Sequence, residues 1–171
     1  MTEVVGIPFP GTLAITIMGL IVVSLLGLGG LLWLGAFASV TTRVIGVGLL
    51  VMAVLFALYA YLFTRASLRI EVDEVVLDVP LYGRTISRAE VLSAGVRELN
   101  LLDDSDHAPV IRTNGIGLPG FLVGWVRLRD GTKALTALTD RTAVVYLPLS
   151  NGTAALVSVD DPARVVAALR R

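Results

Sequence analysis

Apolar residues run almost unbroken from Leu13 to Phe37 and again from Val44 to Thr64, with only the polar patch from Ser39 to Arg43 between them, after which the pattern switches to alternation. Between residues 4 and 64 the single charged side chain is Arg43. The second run holds 21 uncharged residues. At about 1.5 Å of rise per residue, a helix of that length reaches across the roughly 30 Å of a hydrocarbon core. So short a polar patch leaves room only for a tight turn, and the two runs predict a pair of antiparallel membrane spans.

From Leu68 onward, short alternating runs bounded by turn residues predict strands. Leu68 to Val72 and Val75 to Pro80 flank Asp73-Glu74, and Tyr82-Gly83-Arg84 turns the chain before Ile86. Ser87-Arg88-Ala89-Glu90 matches a capping box that would start a helical turn through about Ala94. Val96 to Leu101 reads as a further strand, followed by an acidic loop from Leu102 to Ala108. Asp130-Gly131 joins Phe121–Arg129 to Thr132–Leu138, and Ser150-Asn151-Gly152 joins Ala143–Leu149 to Thr153–Val159, each a hairpin signal. Asp160-Asp161-Pro162 combines an N-cap with a first-turn proline and launches a last helix. Its apolar stripe is Val165, Val166 and Leu169, with Arg170 and Arg171 at its C-terminal end. The expected architecture is a membrane α-hairpin followed by a mainly-β domain of about seven antiparallel strands capped by a C-terminal helix. The divisions fall at 1–12 for an N-terminal segment, 13–64 for the hairpin and 65–171 for the β domain.

Composition sharpens this picture once the halves are separated. Residues 1–66 hold Glu3, Arg43 and Arg65, while residues 67–171 hold 12 basic and 13 acidic groups, a net charge of −1. Bulk charge therefore gives no footprint for nucleic acid. The absence of cysteine excludes disulfides, a thiolate nucleophile and Cys-based metal sites. Thirteen of the 14 basic residues are Arg, a bias that points to a GC-rich bacterial genome. The turn between the spans carries Arg43, whereas Arg65 and Arg69 follow the second span, so the positive-inside rule puts the large domain and both termini in the cytoplasm, with the protein multi-pass in the cell membrane. Tyr59 and Tyr61 at one end and Trp33 and Phe37 at the other fit interfacial belts. Gly27, Gly29, Gly30, Gly46, Gly48 and the Ala53/Ala57 pair offer small surfaces for helix packing within the hairpin or to a partner. Ala36-Phe37-Ala38 imitates a signal-peptide cleavage site, but the N-terminus lacks Lys and Arg and the apolar run is too long.

Candidate chemistry is sparse. Gly115-Ile116-Gly117-Leu118-Pro119-Gly120 spells a dinucleotide fingerprint, with Asp140 twenty residues beyond its last glycine, but that fingerprint must open a helix and here a strand and a hairpin follow. The glycines are read instead as freedom for a tight connection, with Trp125 filling the core. Asp103, Asp104, Asp106 and His107 crowd carboxylates and one imidazole into five residues, yet they lack the glycine and downstream Glu of a calcium loop and read as a solvated loop. His107 is the only histidine, and no activated serine accompanies it. Asn151-Gly152-Thr153 is a sequon that the hairpin turn explains. The reading is therefore of a non-enzyme without cofactor or metal. Arg127, Arg129 and Lys133 form a candidate anionic contact surface, since 125, 127 and 129 share a strand face and Lys133 follows across the turn.

Arg112-Thr113-Asn114-Gly115, Leu118-Pro119-Gly120, Gly124-Trp125, Lys133-Ala134-Leu135, Thr139-Asp140 and Asp160-Asp161-Pro162 form a string of motifs over roughly residues 68–170. It resembles the pleckstrin-homology-like (PH-like) domains that bacterial proteins attach to membrane hairpins. The resemblance implies a PH-like fold, a structural role for Asn114, Gly115, Pro119, Gly120, Gly124 and Trp125, and a non-catalytic binding or scaffolding module. The expected partners are the bilayer itself and a protein partner or a second copy, with anionic lipid headgroups as a further class of contact. The alternative is an accessory subunit assembled through its transmembrane helices into a larger complex.

Overall fold

The computed structural model describes residues 3–8, 10–35, 39–63 and 65–170. Phe37 of the expected aromatic belt, the Ala36-Phe37-Ala38 motif, Thr64 and Arg171 lie outside these residues.

Two long helices, α1 (Thr12–Leu34) and α2 (Val40–Phe63), form the hairpin and are long and apolar enough to cross a bilayer. Only 11% of the most apolar window of each is buried, which is the reverse of a soluble core helix. Ser39 caps α2: its Oγ accepts the Thr42 amide at 3.2 Å and meets the Thr42 hydroxyl at 2.9 Å. The helices touch at Gly29 and Gly46. A Cβ on Gly46 would lie 2.8 Å from the Gly29 carbonyl oxygen and 3.0 Å from the Trp33 nitrogen, so glycine is what lets the backbones meet. Gly27, Gly30 and Gly48 face open space instead.

The segment before α1, where the hydrophobic pattern predicts no element, contains strand β1 (Glu3–Gly6). It pairs antiparallel with β2 (Ser67–Ile70), and β3 (Glu74–Asp78) and β4 (Arg84–Ser87) complete a four-stranded sheet in the order β1-β2-β3-β4. Alternation sends Leu68, Ile70, Val75, Leu77 and Ile86 inward, while Arg69 and Asp78 pair outside at 2.8 Å. In the β3–β4 turn Leu81 adopts a left-handed φ of 67° and is 80% exposed. Two 3-10 turns follow, Arg88–Glu90 and Ser93–Gly95, the first starting where the capping box was expected although Ser87 makes no side-chain cap.

The second sheet has six strands: β5 (Arg97–Leu99), β6 (Pro109–Leu118), β7 (Phe121–Leu128), β8 (Lys133–Leu138), β9 (Val144–Pro148) and β10 (Thr153–Ser158), in the order β5-β9-β10-β8-β7-β6. Both expected hairpins form, around Gly131 and Gly152 at φ 91° and 75°. Two features depart from the expected meander. The first is β6, ten residues long, whose last four residues, 115–118, fall in the glycine motif for which the sequence predicts a tight connection. The second is that β10 lies between β8 and β9 and runs parallel to β8, because the 139–143 connection carries the chain across one strand position before β9 begins. That parallel register brings the C-terminal ends of β8 and β10 together. There the Ser158 hydroxyl accepts the Thr139 and Asp140 amides at 3.0 and 3.1 Å and donates to the Asp140 carbonyl.

Strands β8, β9 and β10 are buried on both faces and are accordingly nearly continuously apolar. One face packs Phe121, Val123, Leu135, Leu147 and Val157 against the first sheet, and Val165 and Leu169 of α3 (Pro162–Leu169) close the end. The other face packs Val126, Leu128, Tyr146 and Leu156 with Leu99 and Leu101. Asp161 caps α3 by accepting the Arg164 amide at 3.0 Å, with Pro162 in the first turn as expected. At its far end Arg88 donates to the Ala168 carbonyl and Arg170 reaches the Val96 carbonyl, both at 3.0 Å. The hairpin is continuous with this core. Val5, Ile7, Ala14, Met18 and Phe63 belong to the same apolar cluster, and the Phe63 and Phe121 rings meet edge to face at 4.8 Å.

Candidate interaction face

Residues 121, 123, 125 and 127 of β7 point to the face that looks toward the first sheet. Phe121 and Val123 are buried there, but the face opens toward the end of β7, and Trp125 is only half-buried. The expected core role of Trp125 is therefore corrected: its ring lines the rim of the core. Lys133 Nζ sits 4.7 Å from the ring centroid and the Arg84 guanidinium 5.7 Å from it. Arg127 and Lys133 are direct cross-strand neighbours, and Arg127 Nη1 donates to the Gly131 carbonyl at 3.1 Å. Arg129 lies past the end of β7, exposed, with its amide bonded to the Ala108 carbonyl, so the three expected cations divide into a contiguous pair and a flanking residue. Arg84 joins them from β4. No local pattern announces it, since its proximity to Trp125 depends on how the two sheets stack.

Among the described residues no carboxylate pairs with Arg84, Arg127, Arg129 or Lys133. Asp130, the nearest acid in sequence, is engaged in its own turn, accepting the Thr132 amide at 2.8 Å and the Thr132 hydroxyl at 2.9 Å. Like charges directly across a strand pair oppose folding, a cost that the Lys133–Trp125 contact and the Arg127–Gly131 hydrogen bond offset without neutralising either cation.

The remaining motif residues shape the rim. Asn114 is the register partner of Trp125, and its Oδ1 accepts the Tyr82 hydroxyl at 3.0 Å, tying β6 to the β3–β4 turn. Gly115 and Gly124 face each other at φ 149° and 122°. A Cβ on Gly115 would strike the Val123 carbonyl oxygen and one on Gly124 the Asn114 carbonyl oxygen, so both glycines permit close backbone approach inside the ladder. Only Pro119 and Gly120, with Gly120 at φ 74°, make the tight connection read from the sequence.

The acidic loop is ordered around its histidine. His107 Nδ1 lies 2.9 Å from both Asp104 carboxylate oxygens, and Nε2 lies 2.8 Å from Arg97 Nη2. A guanidinium only donates, so Nε2 accepts and Nδ1–H donates to Asp104. Burial works to raise the Asp104 carboxyl, but hydrogen bonds from the His107 ring and amide and from the Asp106 amide outweigh it, leaving the group below its usual value. Arg97 also stacks 4.8 Å over Tyr146, whose ring meets His107 edge to face. No group of three metal-ligating side chains occurs among the described residues, and both nitrogens of His107 are already engaged.

Residues 67–171, more than half of the chain, match the family model described as Bacterial PH domain, and the chain belongs to that family. Neither the curated proteins nor the solved structures contain a match to it. PH domains are typically non-catalytic interaction modules that contact proteins or lipids. Strand β1 lies outside the matched region although it completes the first sheet.

Proposed function

We propose that this protein is a membrane-tethered interaction module whose bacterial PH domain, on the cytoplasmic side, offers the Trp125 face to an acidic protein partner. The observation that carries the reading is the gathering of Arg84, Arg127 and Lys133 around one half-buried indole with no carboxylate partner among the described residues. An acidic surface on the partner supplies the missing counter-charge, and the rim tryptophan supplies apolar contact area. The hairpin does the localising, so the face needs only modest intrinsic affinity to hold a partner already confined near the bilayer. Leu81, exposed on a turn whose Pro80 lines one cleft with Leu62 near the end of α2, fits a domain resting against that bilayer.

A second reading has one observation in its favour. Gly27, Gly30 and Gly48 have open space beside them, which suits close packing of the hairpin against helices of a larger membrane complex.

Membrane placement and orientation are tested together. Pairing of β1 with β2 supports an even number of crossings between them, and Arg65 and Arg69 support the cytoplasmic side. The chain has no cysteine, so Ser39→Cys and Ser150→Cys give single labelling sites on exposed turns. An impermeant maleimide on intact cells should label position 39 and spare position 150, and the opposite pattern reverses the assignment. The partner face is tested by purifying the full chain in mild detergent. An associated protein should be retained by wild type and lost from R127Q/R129Q/K133Q, whereas equal retention rejects the face.

A further inference from the structure

A cavity of about 360 Å³ lies between the residues that lead into α1, the β6–β7 turn and the connection after β8. Pro8 and Gly11 wall it on one side, Leu122 on another, and Thr139, Asp140 and Arg141 on the third. We propose that it binds the headgroup of a zwitterionic aminophospholipid of the phosphatidylethanolamine class.

Position is the first argument. Gly11 immediately precedes α1, and Phe121, also in the lining, packs on Phe63 at the last residue of α2. The cavity therefore sits at the level where both apolar helices leave the domain, the headgroup depth of a bilayer that contains them. The inference rests on that part of the proposed function and is independent of the Trp125 face.

Chemistry is the second argument. Thr139 lines the cavity, and its side-chain hydroxyl is buried with no hydrogen-bond partner, so turning it toward the cavity on binding would satisfy it with a phosphate oxygen. Arg141 is exposed and has no side-chain partner among the described residues, and it provides the cation for the same phosphate. Asp140 uses Oδ1 to accept the Thr142 amide and hydroxyl, at 2.8 and 2.7 Å, leaving Oδ2 to accept from an ammonium. One cation beside one anion matches a zwitterion better than a net-anionic lipid. Asp140 favours a primary ammonium, because its free Oδ2 accepts an N–H hydrogen bond, which a primary ammonium offers and a quaternary one does not. The wall is fixed before the ligand arrives, since Ser158 Oγ holds the Thr139 and Asp140 amides.

The test is native mass spectrometry of the full-length protein in detergent with phosphatidylethanolamine, phosphatidylglycerol or phosphatidylcholine of matched chains. Wild type should retain the ethanolamine lipid roughly tenfold better than either competitor, as expected for loss of one charge-assisted contact. D140N/R141Q, in which the asparagine keeps the turn acceptor, should lose the preference with its melting temperature unchanged, and R127Q/K133Q should keep it. Equal retention of the three lipids by wild type, or an undiminished preference in D140N/R141Q, overturns the site. Water-soluble phosphoethanolamine at equal concentration should not displace the lipid, and displacement assigns the pocket to a soluble phosphate ester instead. A chain that stays monodisperse without detergent refutes the membrane placement itself, an outcome separable from a failed lipid preference.

Discussion

Two arginine–aromatic clusters flank the six-stranded sheet, built from similar parts and put to different use. On one, Arg97 stacks 4.8 Å over Tyr146 and is completed by His107 and Asp104. On the other, Lys133 and Arg84 stand over Trp125 with Arg127 beside them, and no acid among the described residues pairs with any of the three. Tyr146 is 8% exposed, whereas Trp125 sits half-open at the rim. The closed cluster meets its own hydrogen-bonding and charge requirements within the fold. The open one leaves them to be met by something else, and that difference singles out the Trp125 face among the arginine-bearing surfaces of this domain.

The contrast predicts unequal costs of truncation. Tyr146→Ala should destabilise the domain by about 3 kcal/mol or more, because a buried ring is removed from a packed cluster. Trp125→Ala should cost about 1–2 kcal/mol, as suits a rim residue. Denaturant unfolding in detergent, followed by near-ultraviolet circular dichroism, compares the two, and equal losses would erase the distinction. Arg97→Ala leaves His107 Nε2 without its donor and should cost about 1–2 kcal/mol by the same assay.

Acid should act on the closed cluster alone. Asp104 has a folded-state pKa below the ordinary value of 3.8, so its ionised form stabilises the fold above that value, and this contribution is lost as pH falls through the lower folded value. Asp104→Asn should lower the melting temperature at neutral pH, and the gap to wild type should close below pH 3.8. A gap that persists at lower pH would show that the carboxylate charge is not what matters. The smallest effect belongs to the open cluster. R127Q/K133Q relieves like-charge repulsion but also removes the Lys133–Trp125 contact and the Arg127–Gly131 hydrogen bond, so these opposing effects should nearly cancel and leave stability within about 0.5 kcal/mol of wild type.

How much of this was legible in the chain depended on how local each determinant is. Helix spans follow from run length, the two hairpins from Asp130-Gly131 and Ser150-Asn151-Gly152, and α3 from Asp161 and Pro162, all signals contained within a few residues. The family resemblance carried the fold for the same reason. Strand β6 escaped because its register shifts and its run of exposed residues hide the alternation, and its glycines imitate a loop. Strand β1 has only four residues and gains its meaning from a partner beyond both helices. The parallel pairing of β8 with β10 is a choice of strand position that hydrophobic pattern does not encode. In the candidate site, Arg127 and Lys133 were readable from strand parity and one turn. Arg84 and the half-burial of Trp125 depend on how the two sheets stack.

The central claim is that the Trp125 face meets an acidic partner at the membrane. A photo-crosslinking amino acid at Arg129, exposed beside the cluster and outside its contacts, tests it in membranes of cells expressing the full chain. The account predicts a discrete crosslinked protein that fades when salt screens the contact and disappears in R127Q/K133Q. An identical crosslink in the charge-neutralised variant, or none in either, would contradict it.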